Sequence, residues 1–197
     1  MIKFRCLLLV KLLNNKLRII SGRYKSRLID ILDKPHLRPS KAFIRESLFN
    51  TIDLSLCSTS LDLFSGSGIL SFEALSRGIE RATMIESDVD LVRHIDLNIH
   101  QLDISGAKVI KKKVDKFLYN CPEQSYDIIF IDPPYDTPLL GETLQLLVDK
   151  NLLINNKKID NINTIKFLTS SLYFSLIQFH DKKYTNKFLD ISYNLIK

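Results

Sequence analysis

The chain has 197 residues, 45% of them hydrophobic, enough for a core in one domain or one domain with a small appendage, and too apolar for a wholly disordered polypeptide. Its formal net charge of +6 is uneven: residues 1–60 hold twelve Lys/Arg against four Asp/Glu, a balance of +8, and the other 16 basic and 18 acidic residues give −2. A basic arm on a near-neutral body is the pattern of a polyanion binder, most often nucleic acid, although a solvated surface accounts for the charge alone equally well.

The chain starts with "MIKFRCLLLVKLLNN" (1–15), whose apolar run is broken by Arg5 and Lys11 and is followed by no A-x-A-like cleavage site. It is too short to span a bilayer, so it is expected to be an extension, with no membrane role and the cytoplasm as compartment. Residues 17–31, "LRIISGRYKSRLIDI", predict two short strands around a turn at Gly22, with Arg18, Arg23, Lys25 and Arg27 interleaved with Tyr24. After the loop "KPHLRPS", Ser40 can cap a helix running to about Ile52, with Phe43, Ile44, Leu48 and Ile52 on one face. Cys6, Cys57 and Cys121 are odd in number and widely spaced, and the four histidines form no cluster with them. No disulfide framework and no metal site are expected.

From residue 58 the rhythm changes. "STSLDLF" predicts a strand, "ILSFEALSR" a helix stopped by Gly78, and "RATMIE" a second strand. Asp88 caps a helix to about Leu102, "AKVIKK" gives a third strand and "DKFLYN" starts a short helix. "YDIIFID" reads as a fourth strand, apolar on both faces like a central parallel strand, followed by a helix near 139–150. This alternation predicts a doubly wound α/β fold with a mostly parallel sheet. Beyond residue 150 the periodicity blurs, and "SLYFSLIQFH" with "KFLDISYNLI" is expected to form a C-terminal antiparallel hairpin.

Two features carry chemistry. "LDLFSGSG" (61–68) places Gly66 and Gly68 at a strand-to-helix turn, where a backbone can approach a ligand and a helix N-terminus follows. Glu86 ends the next strand 20 positions beyond Gly66, where an acid can take the hydroxyls of a ribose; an ordinary surface glutamate is the alternative. Asp115, after the third strand, could meet an adenine amino group or simply cap a helix.

The second feature is "IDPPYD" (131–136), at the end of the fourth strand and so at the same sheet edge. An amine on a base ring is a poor nucleophile, because its lone pair is delocalised into the ring. Two rigid acceptors, the Asp132 carboxylate and the Pro133 carbonyl, can grip its two N–H bonds and localise that pair, and Pro134 helps fix them. Tyr135 offers a face on which an extruded base can stack. An electrophile carried on a nucleoside, such as a sulfonium methyl, completes the chemistry.

Together "LDLFSGSG", "IES" (85–87) and "IDPPYD", preceded by "LRIISGRYKSRLI", "LRPS" and "RESLFN" (45–50), resemble the bacterial 16S ribosomal RNA guanine-N2 methyltransferases. These are of the RsmD type, among the S-adenosylmethionine-dependent DPPY amino-methyltransferases. The similarity covers about residues 16–150. It implies a Rossmann-like class I methyltransferase domain over 54–197, a basic RNA-binding hairpin and helix over 16–53, and a monomer. The cofactor it implies is S-adenosylmethionine, held by Asp62, Phe64, Gly66, Gly68, Glu86 and Asp115. Asp132, Pro133, Pro134 and Tyr135 would hold the target guanine. Arg18, Arg23, Lys25 and Arg27 would grip 16S RNA in the 30S subunit or an assembly intermediate, with Arg38 and Arg45 facing phosphates or cofactor near the cleft.

The chain departs from the family at Lys113, where an acid often stands, at Ala42 and Phe43, where polar residues are usual, and in 151–168, where the usual glycine and strand-end acid are not recognisable. Three rival expectations remain at this stage. A DNA amino-methyltransferase would normally carry a recognition insert. A nicotinamide oxidoreductase has no use for the D-P-P-Y tetrad. A non-catalytic RNA-binding assembly factor would keep the fold without binding cofactor.

Overall fold

The computed structural model describes residues 16–34, 42–123, 125–134 and 137–150. Strands β1 (Lys16–Arg18) and β2 (Leu28–Asp30) pair antiparallel, with Leu17 opposite Ile29. Gly22, in their connection, has φ +83, and a Cβ there would lie 1.8 Å from the Ser76 carbonyl oxygen, so glycine is required. Helix α1 (Ala42–Thr51) follows. Then β3 (Thr59–Leu63), α2 (Ile69–Ser76), β4 (Arg81–Glu86), α3 (Val89–Gln101), β5 (Ala107–Lys111), α4 (Val114–Tyr119), β6 (Ile128–Ile131) and α5 (Leu139–Asp149) alternate along the chain. The last four strands form a parallel sheet of order β5-β4-β3-β6. The chain steps outward from β3 to β5, then crosses back to lay β6 on the other side of β3. That reversal opens a crevice at the carboxyl ends of the central strands. The expected C-terminal hairpin lies outside the described residues.

Two apolar layers cover the sheet. One joins Ile19, Tyr24, Ile29, Leu48 and Phe49 of the N-terminal segment to Phe72, Leu75, Met84, Ile95 and Phe130; the other gathers Leu61, Leu63, Ile85, Ile129 and Ile131 with Val114, Leu118, Leu144 and Leu147. The N-terminal segment therefore shares its core with the sheet. Helix α2 lies between them and is buried from Ile69 to Ser76.

In α1 the observed face differs from the periodic one. Leu48 is buried as expected, but Phe43 is 69% exposed and Arg45 only 1%. The reason is Glu73, fully buried on α2. Its Oε1 accepts the Ile20 N–H at 2.8 Å and lies 3.6 Å from Arg45 Nε, while its Oε2 lies 3.8 Å from Arg77 Nε. Arg45 Nη2 also donates to the Arg18 carbonyl at 3.0 Å. Burial pushes the Glu73 carboxyl above its ordinary range, against the pull of the amide and the two arginines. A buried carboxylate without a cation would cost several kcal/mol, so the helix turns its arginine inward.

Candidate active site at the carboxyl edge of the sheet

At the end of β3 the backbone turns through Phe64 (φ 63), Gly66 (φ 56) and Gly68 (φ 75). A phenylalanine in the left-handed region costs energy, and its neighbours hold it there. The Ser65 N–H donates to the Ile85 carbonyl at 3.1 Å, and the Ser65 hydroxyl donates to the Asp62 carbonyl at 2.7 Å. Glu86, 9% exposed at the end of β4, staples this turn to the next one. Its Oε2 accepts the Gly66 N–H at 2.9 Å, and its Oε1 accepts those of Ser87 and Asp88 at 2.7 and 2.9 Å. Asp88 caps α3, accepting from Asp90 and Leu91 N–H, as its position in the sequence predicts. Lys34 pairs with Asp88 and, at 3.1 Å, with Asp90 on the cleft rim.

Asp62 is 1% exposed beneath the turn, and the Ser71 hydroxyl donates to its Oδ2 at 2.8 Å. Burial pushes this carboxyl up to about 7; the neighbouring charges of Asp132 and Glu86 add to the rise, and the Ser71 bond opposes it. On the other side of β3, the Asp132 N–H donates to the Leu63 carbonyl at 3.4 Å, and Asp132 and Pro133 are half-buried where the chain leaves the sheet. Asp62, Phe64, Gly66, Glu86, Asp115, Asp132, Pro133 and Pro134 all line one cleft of about 810 Å³, with apolar walls that include Leu91, Val114 and Leu146. That volume falls in the range of small-molecule sites.

Other expected residues lie elsewhere. Gly68 belongs to the turn but not to the cleft wall: a Cβ there would meet Met84 Sδ at 3.1 Å and Phe72 Cε2 at 3.2 Å, on the core side. Tyr135 and Arg38 fall outside the described residues. Arg45, expected near phosphates or cofactor, is instead buried against Glu73, so its guanidinium is not available to RNA in this fold. Arg18, Arg23, Lys25 and Arg27 are exposed. The guanidinium groups of Arg23 and Arg27 stack on the Tyr24 ring at 4.6 and 4.9 Å. Arg27 donates to the Leu102 carbonyl and the Arg23 N–H to that of Ser76, both at the far ends of helices that begin at the cleft. Helix α3 has 13 residues, so this basic tip lies about 20 Å from the cleft mouth.

Residues that sequence patterns did not single out also line the cleft, among them Lys34, Lys112, Glu142 and Thr143. Among the described residues no group of three or more His, Cys, Asp or Glu could hold a metal ion, and no helix is long and apolar enough to cross a membrane.

A family model described as Conserved hypothetical protein 95 matches residues 17–190. The chain is 42% identical over 142 residues to Ribosomal RNA small subunit methyltransferase D of Buchnera aphidicola subsp. Baizongia pistaciae, covering 71% of this chain and 72% of that one. It is 36% identical over 141 residues to the protein of the same name from Escherichia coli strain K12, covering 71% of each. Of solved structures, yhhF from Escherichia coli superposes with a TM-score of 0.63 at 34% identity, over 70% of this chain and 75% of that one. HI0767 from Haemophilus influenzae superposes at 0.61 and 33% identity, over 72% and 77%.

Proposed function

The chain belongs to the ribosomal RNA small subunit methyltransferase D family, and on that premise we propose that it transfers a methyl group from S-adenosylmethionine to the exocyclic N2 amine of a guanine in 16S ribosomal RNA. The observation that carries the proposal is the convergence of Gly66, Glu86, Asp132 and Pro133 on one cleft. The cleft suits the cofactor by size and by donor set. Asp132 lines it and offers a carboxylate to a sulfonium cation, while Asp62, lifted to about 7 by burial, serves beneath the turn as a buried hydrogen-bonding group. Glu86 Oε1 takes the Ser87 and Asp88 N–H groups and the Ser87 hydroxyl, whereas Oε2 takes only the Gly66 N–H and so keeps an acceptor site for a ribose hydroxyl. When bound, S-adenosylmethionine supplies an electrophilic methyl on a leaving group that departs as a neutral thioether.

The chain's own residues prepare the nucleophile. The Asp132 carboxylate and the Pro133 carbonyl oxygen each accept one N–H of the guanine amine, drawing its lone pair out of the ring. Once the N–C bond has formed, the proton shed by the nitrogen passes to the Asp132 carboxylate and on to solvent. Pro133 and Pro134 hold these acceptors without rearrangement, which lowers the entropic cost of alignment. Tyr135 stacks on the extruded base. Arg18, Arg23, Lys25 and Arg27 hold RNA phosphates far from the cleft, which fits a large folded substrate in a 30S subunit or assembly intermediate, met by a monomer in the cytoplasm. The experiment is methyl transfer to protein-free 16S RNA, to undermethylated 30S subunits and to duplex DNA, with mass spectrometry of the digests. N2-methylguanosine from an RNA arm is expected. Methyladenine, or transfer to DNA alone, would overturn the substrate.

A further inference from the structure

Helix α1 buries its arginine and leaves a phenylalanine bare: Arg45 is 1% exposed and Phe43 69%. The contacts of α1 with α2 fix where Phe43 stands. Arg45 meets Glu73 at 3.6 Å, and four residues on, the Arg77 guanidinium lies 5.0 Å over the Phe49 ring. The two helices therefore run side by side in the same direction. Helix α2 starts at the cleft, where Ile69 and Leu70 line the wall, so the first turn of α1 also lies toward the cleft edge. The β6 contact agrees. The Phe49 ring lies 5.8 Å from that of Phe130, two residues before Asp132. Phe43, six residues before Phe49, is displaced about 9 Å toward the edge where the strands end. Asp132 lies about 6.6 Å beyond Phe130 in the same direction. Phe43 thus stands at roughly the height of Asp132 and Pro133.

We infer that Phe43 is a stacking platform for an unpaired base of the RNA, next to the nucleotide that enters the cleft. The inference rests on the function proposed above. An exposed aromatic at the height of Asp132 and Pro133, on a helix that runs beside a wall of the cleft, suits an RNA whose bases are splayed out there. The ring would take the base face. A second copy of the chain or a ribosomal protein would bring no unstacked base to it.

The test uses the full-length protein and undermethylated 30S subunits. A photo-crosslinking p-benzoylphenylalanine at position 43 is expected to react with a nucleotide near the methylated guanine. Phe43→Ala should lower kcat/KM roughly 5- to 150-fold, mainly through KM, the scale of one lost base stack. Its affinity for S-adenosylmethionine should be unchanged, and Phe43→Tyr should keep the wild-type rate because the ring survives. A crosslink to a ribosomal protein or to a second copy, no crosslink during active methylation, or an unchanged kcat/KM in Phe43→Ala would each overturn the inference alone. Absence of methylation by the wild type would overturn the proposed function and this inference with it.

Discussion

In Asp62→Asn the buried carboxyl becomes an amide of nearly the same shape that can still accept the Ser71 hydroxyl. In the folded wild type, burial raises this carboxyl from 3.8 to about 7, with Asp132 and Glu86 adding to the rise and Ser71 opposing it. In the unfolded chain it ionises near pH 3.9. Between about pH 4 and 7, then, the folded protein holds a proton that the unfolded chain has released, and stability falls as pH rises through that window. The stabilisation is fully present below the unfolded pKa and gone once pH passes the folded one. Three pKa units correspond to on the order of 4 kcal/mol. The asparagine has no proton to lose, so the variant lacks this slope. Urea unfolding of both proteins across this range measures it, and subtracting one curve from the other removes most of the contribution of other titrating groups. The stability of wild type relative to variant should decline by several kcal/mol from acid to neutral pH. A flat or rising difference would refute the placement of Asp62 as a desolvated carboxyl among other acids.

Glu73→Gln should destabilise the fold by about 3–5 kcal/mol, because Arg45 and Arg77 lose their buried counter-charge; an unchanged urea midpoint would contradict the ion cluster. Glu86→Ala should weaken S-adenosylmethionine binding by about 1–3 kcal/mol in calorimetry, and wild-type affinity in a folded variant would remove Glu86 from the site. Replacing Arg18, Arg23, Lys25 and Arg27 by Gln should weaken RNA binding and flatten its salt dependence while sparing cofactor affinity. An identical salt slope would mean the tip only faces solvent.

The strand "RATMIE" emerges over the residues its pattern predicts, and so does the parallel sheet, because apolar runs and glycine stops are local signals. The cleft was legible for a related reason: in a parallel sheet all strand ends meet at one edge, so Gly66, Glu86 and Asp132 had to converge. Arg45 was not legible. Its partner Glu73 lies 28 residues along the chain, and helical periodicity counts an arginine as a surface residue whatever it later meets. Phe43 was misplaced inward by the same count. Gly68 was read as leaving room for a ligand, yet its open side faces Met84 and Phe72; the glycine is needed for its left-handed backbone and for packing against the core. The distance from Arg27 to the cleft depends on the direction of α3, which no motif encodes.

The central claim is that Asp132 and the Pro133 carbonyl activate the guanine amine. The most direct test is single-turnover methyl transfer by Asp132→Ala, alongside calorimetry showing that it still binds S-adenosylmethionine. Loss of one of two preorganised acceptors predicts a rate lower by roughly 10²–10³ with cofactor affinity largely retained. N2-methylguanosine formed by Asp132→Ala at the wild-type rate would contradict the account.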